Sequence, residues 1–273
     1  MGVKFLCAFL GVSRSGYYDW RKRPPSKRLV EDAEMKLLIQ EVYDNAEERY
    51  GSPRVFKALK KQGITIGRKR VERLMREMGL TGRVVKVTHR NPGLKEFLAS
   101  GENLRLGKEA PTGIDQVWVA DITYLKVGKR WMYLSVIMDL YSRKIIAWTL
   151  DNQRTTEVTK RTLQYAIKKR RPSPGLIFHT DRGIEYRGHV FQKALKQYEM
   201  KHSLNRLGHC TDNAHMESFF HSMKAEIIRG NRYSSEAELR YDLVKYINHF
   251  YNIKRLHSGI DYNSPVEYEA LAA

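Results

Sequence analysis

The feature that most constrains the fold of this chain is a change in hydrophobic spacing near residue 113. Before it, apolar residues recur every three or four positions, which is typical of helices packed on one face. After a stretch without sustained period at 91–112, β-branched and aromatic runs alternate with helical segments. The pattern predicts a helical region over 1–90, an α/β mixed sheet over 113–230, and a C-terminal helix and tail over 231–273 that pack on that sheet.

Two short helices between residues 52 and 79 carry the clearest local signals of the N-terminal region. Ser52 followed by Pro53 is typical of a helix start in which the serine side chain is the cap. Gly63 follows the first apolar stripe, and Gly79 ends the second. Two helices joined by a tight glycine-containing turn match the helix-turn-helix plan, in which the second helix enters the DNA major groove.

Basic charge is concentrated in the same region. The chain has 49 Lys and Arg against 30 Asp and Glu, and residues 54–90 alone hold twelve Lys or Arg against two Glu. A solvated helix face is the alternative explanation of such a run, but the helix-turn-helix pattern favours DNA contact. The residues predicted to contact DNA from the second helix are Arg68, Lys69, Arg70, Arg73 and Arg76.

The formal charge of +19 favours a polyanionic partner, because neutralised phosphates release counterions. The sequence has no run of about 18 apolar residues of the kind that spans a membrane, and its first residues make a poor secretory signal. Two cysteines, Cys7 and Cys210, are too few for a disulfide framework or a zinc cluster of several thiolates. We therefore expect a cytoplasmic protein that binds DNA and no membrane.

Three acidic residues from three separate predicted elements are candidates for the chemistry of this chain. Asp121 interrupts an otherwise apolar strand, where a buried charge costs several kcal/mol unless it is neutralised. Asp181 directly follows the apolar run LIFHT, at the strand end where α/β sheets present ligand-binding groups. Glu217 lies on a predicted helix. Carboxylates of this kind suit Mg²⁺ or Mn²⁺, so all three are candidate metal ligands and catalytic residues.

The neighbours of these acids have competing interpretations. Lys224 projects about two helical turns after Glu217 and either holds a DNA phosphate or is a solvated lysine. His179 either contacts a phosphate or is a hydrogen-bonded histidine at a strand end. Asp212 and Asn213 precede the Glu217 helix, and capping of its free amides is favoured over metal binding.

The segments around the three acids resemble the catalytic blocks of the DDE transposases and retroviral integrases, in particular the insertion sequence three family. The segments are WVADIT, HTDRGIEY and TDNAHMESFFHSMKAE, and thirty-five residues separate Asp181 from Glu217, the spacing of that family. The N-terminal helix-turn-helix region and the tail NIKRLHSGIDYNSPVEYE resemble the family's flanking regions. The resemblance therefore spans nearly the whole chain.

This resemblance implies a ribonuclease-H-like core that binds two Mg²⁺ or Mn²⁺ ions and catalyses strand cleavage and strand transfer at the ends of an insertion sequence. It implies nucleoid DNA as partner, both element ends and target, and a homo-oligomer on that DNA. The tail motif makes Arg255 a candidate DNA contact near the site. Glu185 stands where family members often have glutamine, so an extra carboxylate is expected beside Asp181.

The resemblance also implies that an upstream reading frame supplies a DNA-binding and coiled-coil segment as a partner of this chain. The main alternative from another class of function is a regulator that occupies element ends without cutting them. A second alternative is a nuclease of the same fold that hydrolyses strands but does not join them. The three acids favour an enzyme, and the basic N-terminal region disfavours a simple nuclease.

Overall fold

The structure, a computed structural model, describes residues 2–83, 101–207 and 209–272. The chain forms two compact units, Met1–Gly82 and Arg83–Ala273. Part of the predicted linker lies outside the described residues, and in residues 101–112 a turn at 104–107 is flanked by residues without a helix or strand. The described helices include none that is both long enough and apolar enough to cross a membrane.

The N-terminal unit is helical, as predicted. Its core is made of the apolar stripes of the three longer helices, which bury Ile39, Val55, Leu59, Val71 and Leu74 completely. The helices are α1 (Val3–Phe9), α2 (Arg14–Lys22), α3 (Lys27–Asn45), α4 (Ser52–Lys61) and α5 (Arg68–Glu77).

The two helices of the predicted helix-turn-helix end as their glycines indicate. Gly63 and Gly79 have φ values of +80° and +70°, and the next residue in each case donates its amide five residues back, Ile64 to Leu59 and Leu80 to Met75. This is the left-handed helix end that glycine adopts without steric cost. The start of α4 differs from the prediction: the cap residue is Gly51, and Ser52 is already inside the helix with no capping hydrogen bond.

The second unit is built on a mixed five-stranded sheet with the order β3-β2-β1-β4-β5. β3, β2 and β1 pair antiparallel, while β1, β4 and β5 run parallel. The short fifth strand is not predicted by the sequence, because four residues with one leucine carry no strand signal of their own. The strands are β1 (Val117–Val127), β2 (Arg130–Asp139), β3 (Ile145–Asp151), β4 (Ile177–Thr180) and β5 (Lys201–Leu204).

Helices complete this unit, and two of them continue directly as π-helical turns, one over Lys224–Ile228 and one over Lys245–Tyr251. Alternation along β1 directs Trp118 and Ala120 into a core shared with Phe178 and Phe191, while Asp121 faces the other side. The helices are α6 (Thr156–Arg170), α7 (Ile184–Arg187), α8 (His189–Gln197), α9 (Ala214–Met223), α10 (Glu236–Val244) and α11 (Pro265–Leu271).

Two polar side chains from the end of the chain bind to the β2–β3 region. The Asn252 amide exchanges two hydrogen bonds with the backbone of Ile145, at 2.9 and 3.0 Å. Glu269 on α11 accepts hydrogen bonds from Ser142 and Lys144 in the turn between β2 and β3. These contacts place the C-terminal residues against the sheet.

Candidate active site

The parallel pairing of β1 with β4 brings Asp121 and Asp181 together. Ala120 lies opposite Thr180 in the ladder, so the two aspartates are the next residues along neighbouring strands. Each carboxylate also accepts one backbone hydrogen bond. Asp121 accepts from the Ile122 amide at 2.7 Å, and Asp181 accepts from the Gly183 amide at 2.9 Å. The two side chains are therefore oriented by the backbone around them.

Burial and mutual repulsion make this pair costly to ionise. Burial raises the pKa of Asp121 well above its usual value, and the charge of Asp181 raises it further. Burial likewise raises the pKa of Asp181, and nearby Glu185 adds to the effect. The Arg154 guanidinium opposes both shifts. Concentrated negative charge on hard oxygen atoms fits a divalent cation such as Mg²⁺ or Mn²⁺, which would relieve the repulsion.

Glu185 is the third acid that the structure places beside the pair. It is 2% exposed, and its Oε1 accepts from the Arg154 Nε at 2.9 Å and from Nη2 of the same guanidinium. Gly183 separates Glu185 from Asp181: a Cβ atom at this glycine would lie 2.4 Å from Glu185 Oε1 and 2.9 Å from Asp181 Oδ1. A side chain at this position would therefore displace one or both carboxylates.

Two polar atoms beside these carboxylates are buried without a hydrogen-bond partner among the described residues, Glu185 Oε2 and the Tyr186 hydroxyl. Burial raises the pKa of Tyr186 well above its usual value, and the charges of Asp121, Asp181 and Glu185 raise it further. A buried polar atom without a partner is costly, so these atoms mark a place that a bound group would complete.

We expect Arg154→Ala to lower the free energy of unfolding, because it leaves Glu185 as a buried, unpaired charge. The expected loss is about 2 kcal/mol, below the roughly 3–5 kcal/mol of a fully buried pair, since the Arg154 side chain is 47% exposed. Urea denaturation at pH 7 without divalent cations measures it. Arg154→Ala combined with Glu185→Gln is expected to recover most of the loss.

The matched control is Arg161→Ala, which breaks an ion pair between Arg161 on α6 and Asp151 at the end of β3, an acid more exposed than Glu185. That change is expected to cost less than about 1 kcal/mol. Equal stability of Arg154→Ala and Arg161→Ala would contradict the assignment of Glu185 as a buried anion held by Arg154.

Glu217 lies in the first turn of α9, a helix that packs against β1, and its side chain is exposed. Just before the helix, the Asn213 amide donates to the carbonyl of Ala120 at 3.2 Å. Further along, the Lys224 ammonium lies 5.0 Å from the centre of the Tyr124 ring on β1. Glu217 comes four residues after Asn213 and seven before Lys224, a spacing that favours the same side of the helix as these two contacts.

Lys224 is half-buried at this edge of the site. Burial lowers the pKa of its ammonium, and the charge of Asp121 opposes that shift. The two groups are therefore close enough to interact. Within the described ranges, no group of three His, Cys, Asp or Glu side chains is close enough together to bind one metal ion. The assignment of Asp121, Asp181 and Glu217 as joint ligands accordingly stays a prediction.

Arg255 is placed differently from the sequence prediction. It is 5% exposed, and its Nη2 and Nε donate to Glu226 at 2.7 and 3.1 Å. The Tyr246 hydroxyl donates to the other Glu226 oxygen at 2.9 Å. A guanidinium enclosed in this way cannot reach a DNA phosphate, so the structure replaces the predicted DNA contact with a buried ion pair.

Within the N-terminal unit, Arg70 and Arg73 also have internal partners. Both donate to Asp32 on α3, each at 2.7 Å, and Arg73 also pairs with Glu77. These bonds tie α5 to α3, a role that the helix spacing alone does not reveal. Arg68 and Lys69 are exposed, and Arg76 is exposed with one loose ion pair to Glu72.

The remaining alternatives from the sequence are resolved by hydrogen bonds. His179 is fully buried, and its Nδ1 bonds the Ser203 hydroxyl at 2.8 Å, so it is the hydrogen-bonded strand-end histidine. Asn213 occupies the cap position of α9 without a side-chain capping bond, and its Nδ2 donates to the Ala120 carbonyl. Asp212 pairs with Arg206 and accepts from Asn103. The capping role predicted for Asp212 and Asn213 is therefore wrong.

Family models match most of the chain. An Integrase core domain matches residues 111–210, a second Integrase core domain matches 217–271, and an HTH-like domain matches 30–87. These matches, with the observed sheet, confirm the predicted mixed-sheet ribonuclease-H-like core and N-terminal helix-turn-helix-like region.

Relatives with similar sequences are bacterial insertion-sequence proteins. The chain is 36% identical to the insertion element IS600 uncharacterized 31 kDa protein of Shigella sonnei, over 96% of this chain and 97% of the relative. It is 36% identical to the transposase for insertion sequence element IS904 of Lactococcus lactis, over 90% and 98%. It is 34% identical to transposase InsF for insertion sequence IS3A of Escherichia coli, over 98% and 93%.

Similar solved structures are more distant in sequence. The HTLV-2 integrase catalytic core domain in complex with magnesium is 18% identical, with a TM-score of 0.42 over 58% of this chain and 98% of that one. The catalytic domain of the Mos1 mariner transposase is 13% identical, with a TM-score of 0.42 over 57% and 74%.

Proposed function

Because this chain belongs to the IS3 family of insertion-sequence transposases, we propose that Asp121, Asp181 and Glu217 form the metal-binding catalytic centre with which it cuts and joins DNA. The protein is a DNA transposase with an integrase core. The finer proposal is a DDE-type polynucleotidyl transferase that uses two Mg²⁺ or Mn²⁺ ions.

One observation carries this proposal: the register of β1 and β4 sets two aspartates side by side, and both have raised pKa values. Apolar residues at these two positions would make the sheet more stable than two neighbouring carboxylates do. Stability alone therefore does not explain the aspartate pair. In this proposal Asp121 and Asp181 supply hard oxygen ligands, and Glu217, in the first turn of the helix that packs against β1, supplies the third.

The chain's own residues orient the reactants. The Gly183 and Ile122 amides hold the two aspartates, and Lys224 offers a cation for a DNA phosphate next to Asp121. Bound Mg²⁺ or Mn²⁺ supplies the Lewis acidity that activates an attacking oxygen and stabilises a leaving oxygen.

The same site serves cleavage and joining because only the attacking oxygen changes. When water attacks, one P–O bond forms as another breaks, and the cut strand leaves with a 3′-hydroxyl. When that hydroxyl attacks a phosphate elsewhere, one phosphodiester replaces another and the strands are joined. No covalent protein intermediate is required, so the carboxylates bind and orient rather than attack.

A strand-transfer assay tests the proposal directly. Labelled element ends incubated with this chain and Mg²⁺ should yield both 3′-ended cut strands and joined products, and chelation of the metal should remove both. Binding to ends without any cut product would instead support the non-catalytic regulator. Cut strands without joined products would support a hydrolytic nuclease of the same fold.

DNA contact by the helix-turn-helix is proposed for the exposed cations of α5, Arg68, Lys69 and Arg76. We expect Arg68→Ala with Lys69→Ala to weaken DNA binding and to reduce the slope of log affinity against log salt by about 1.8, because each lost phosphate contact removes about 0.9. Fluorescence anisotropy at several salt concentrations measures the slope.

The comparison variant is Arg70→Ala with Arg73→Ala, which removes two positive charges from the same helix but leaves Asp32 without partners. It is expected to lower the melting temperature of the N-terminal unit, whereas Arg68→Ala with Lys69→Ala should not. An unchanged salt slope in the Arg68 and Lys69 variant would assign those side chains to a solvated face.

The proposal includes partners beyond the DNA ends and target. We propose that the chain acts as a homo-oligomer on nucleoid DNA in the bacterial cytoplasm, together with the product of an upstream reading frame. One short helix-turn-helix makes few base contacts, and selective DNA binding usually pairs such units. Running the strand-transfer assay with and without an upstream segment tests this, since equal end selectivity in both reactions would contradict it.

A further inference from the structure

A second candidate site lies at the opposite end of β1 from the tip of the β1–β2 hairpin. It is a cavity of about 840 Å³, a size typical of small-molecule sites. Its walls come from the segment before β1, the turn between β2 and β3, the start of β4 and the C-terminal tail. None of the residues proposed as metal ligands lines it.

Arg143 makes this cavity unusual. Its side chain is half-buried in the cavity wall, and its Nη1 is buried with no hydrogen-bond partner among the described residues. No carboxylate in the described ranges forms an ion pair with it. Burial, together with the charge of Arg105, lowers the pKa of Arg143. A buried cation without a partner is costly, and an anion in the cavity would remove that cost.

The backbone at Arg143 is also strained, with a φ of +64° in the turn between β2 and β3. A residue with a Cβ atom in the left-handed region has a higher energy than glycine there. The nearby acid Asp139 is engaged elsewhere, because it accepts from the amides of Asp115, Tyr141 and Ser142. The turn between β2 and β3 thus holds Arg143 in the cavity wall but provides no acid that forms an ion pair with it.

A second cation faces the same cavity. Arg105 is partly buried, and Nη1 donates to the backbone carbonyl of Asp212 at 3.1 Å. Lys108 adds a third positive charge to the lining, against two acids, Glu109 and Asp115. Asp115 accepts from the Trp118 indole at 2.8 Å, so it has a partner of its own. Two guanidiniums that face a cavity suit the oxygens of a phosphate group.

The remaining walls suit a larger ligand than a bare phosphate ion. Tyr141 and Tyr268 line the cavity with ring centres 5.0 Å apart, and Leu140 and Ile260 add apolar surface. Nucleobases stack on aromatic side chains with little dependence on base identity. Phosphate-binding cations on one side and aromatic rings on another are the two features that a nucleotide requires.

We propose that this cavity binds a single nucleotide, with Arg143 and Arg105 holding its phosphate and Tyr141 and Tyr268 contacting its base. The nucleotide is either a free mononucleotide or an unpaired nucleotide at a DNA end. The cavity shares no residue with the proposed catalytic centre, so each proposal stands or fails on its own.

The test is binding of deoxyadenosine monophosphate to the full chain by titration calorimetry and thermal shift, without divalent cations. Deoxyadenosine, which lacks the phosphate, is the control ligand in the same two measurements. Arg143→Met removes the charge but keeps an unbranched side chain, and is expected to bind about 10–100 times more weakly, since hydrogen bonds to charged groups contribute about 1.5–3 kcal/mol. Without ligand its melting temperature should equal or exceed that of the wild type, because a costly buried charge is gone.

The matched control is Arg130→Met, an exposed arginine at the far end of the hairpin and about 30 Å along the strand. It should bind the nucleotide like the wild type. Arg143→Lys keeps the charge but not the planar fork, and it should bind about 10 times more weakly if the bonds are bidentate. This variant keeps the test decisive if Arg143→Met does not fold.

Competition identifies the source of the nucleotide. If a duplex with an unpaired 5′-phosphorylated end displaces the mononucleotide and this displacement requires Arg143, the ligand is a DNA end. If only the mononucleotide binds, the ligand is a free nucleotide. Absence of mononucleotide binding to the wild type, or equal binding by the wild type, Arg143→Met and Arg143→Lys, would overturn the proposal.

Discussion

Asp121→Asn, Asp181→Asn and Glu217→Gln are each expected to reduce strand cleavage and joining by about 1000-fold or more, because groups that act as one catalytic unit lose most activity when any one is removed. Each change removes a metal-binding charge while keeping the shape of the side chain. DNA affinity in the absence of metal should stay near that of the wild type. Strand-transfer assays and fluorescence anisotropy on the same preparations measure the two quantities.

Two control variants make this result specific. Glu157→Gln changes an exposed acid on α6 and should leave activity unchanged. Glu185→Gln tests whether Glu185, rather than Glu217, is the third metal ligand. Glu185 lies beside Asp121 and Asp181, but it forms an ion pair with Arg154. The Glu185→Gln variant is expected to retain activity within about 10-fold, a modest effect for a group outside the catalytic unit. If Glu185→Gln abolished joining and Glu217→Gln did not, the proposed triad would be wrong.

Arg255→Ala is expected to lower the free energy of unfolding by about 3–5 kcal/mol, because it leaves Glu226 as a buried carboxylate without its cation. Both partners are nearly inaccessible to solvent, with side chains 6% and 4% exposed. Urea denaturation measures the loss. Replacement of both partners by apolar residues, Arg255→Met with Glu226→Leu, should restore much of it, although the Tyr246 hydroxyl then loses its acceptor.

The same variant distinguishes a structural arginine from a DNA contact. If Arg255→Ala were as stable as the wild type but bound DNA more weakly with a flatter salt slope, the original prediction of a phosphate contact would be restored. The control is Arg240→Ala on α10, whose ion pair with Glu236 is exposed. That pair should contribute less than about 1 kcal/mol to stability.

Features that depend on local spacing could be predicted from the sequence. The stripes of α3, α4 and α5, the glycine-ended helices, and the long strands β1, β2 and β3 all follow from patterns within a few residues. The family could be predicted for the same reason, since each catalytic block is a continuous segment. Short elements such as β5 and α7 were missed, because four residues form structure only when a neighbour pairs or packs with them.

Only the tertiary structure decided which side chains pair with one another. Arg70, Arg73 and Arg255 are basic residues in basic surroundings, so their charge favoured DNA contacts, yet their partners Asp32 and Glu226 lie 29 to 41 residues away in the sequence. The position of Asp121 beside Asp181 likewise depends on which strands pair and in what register. An ion pair or a pair of like charges acts over a few ångströms, whatever the separation along the chain, and spacing along the sequence therefore cannot reveal it.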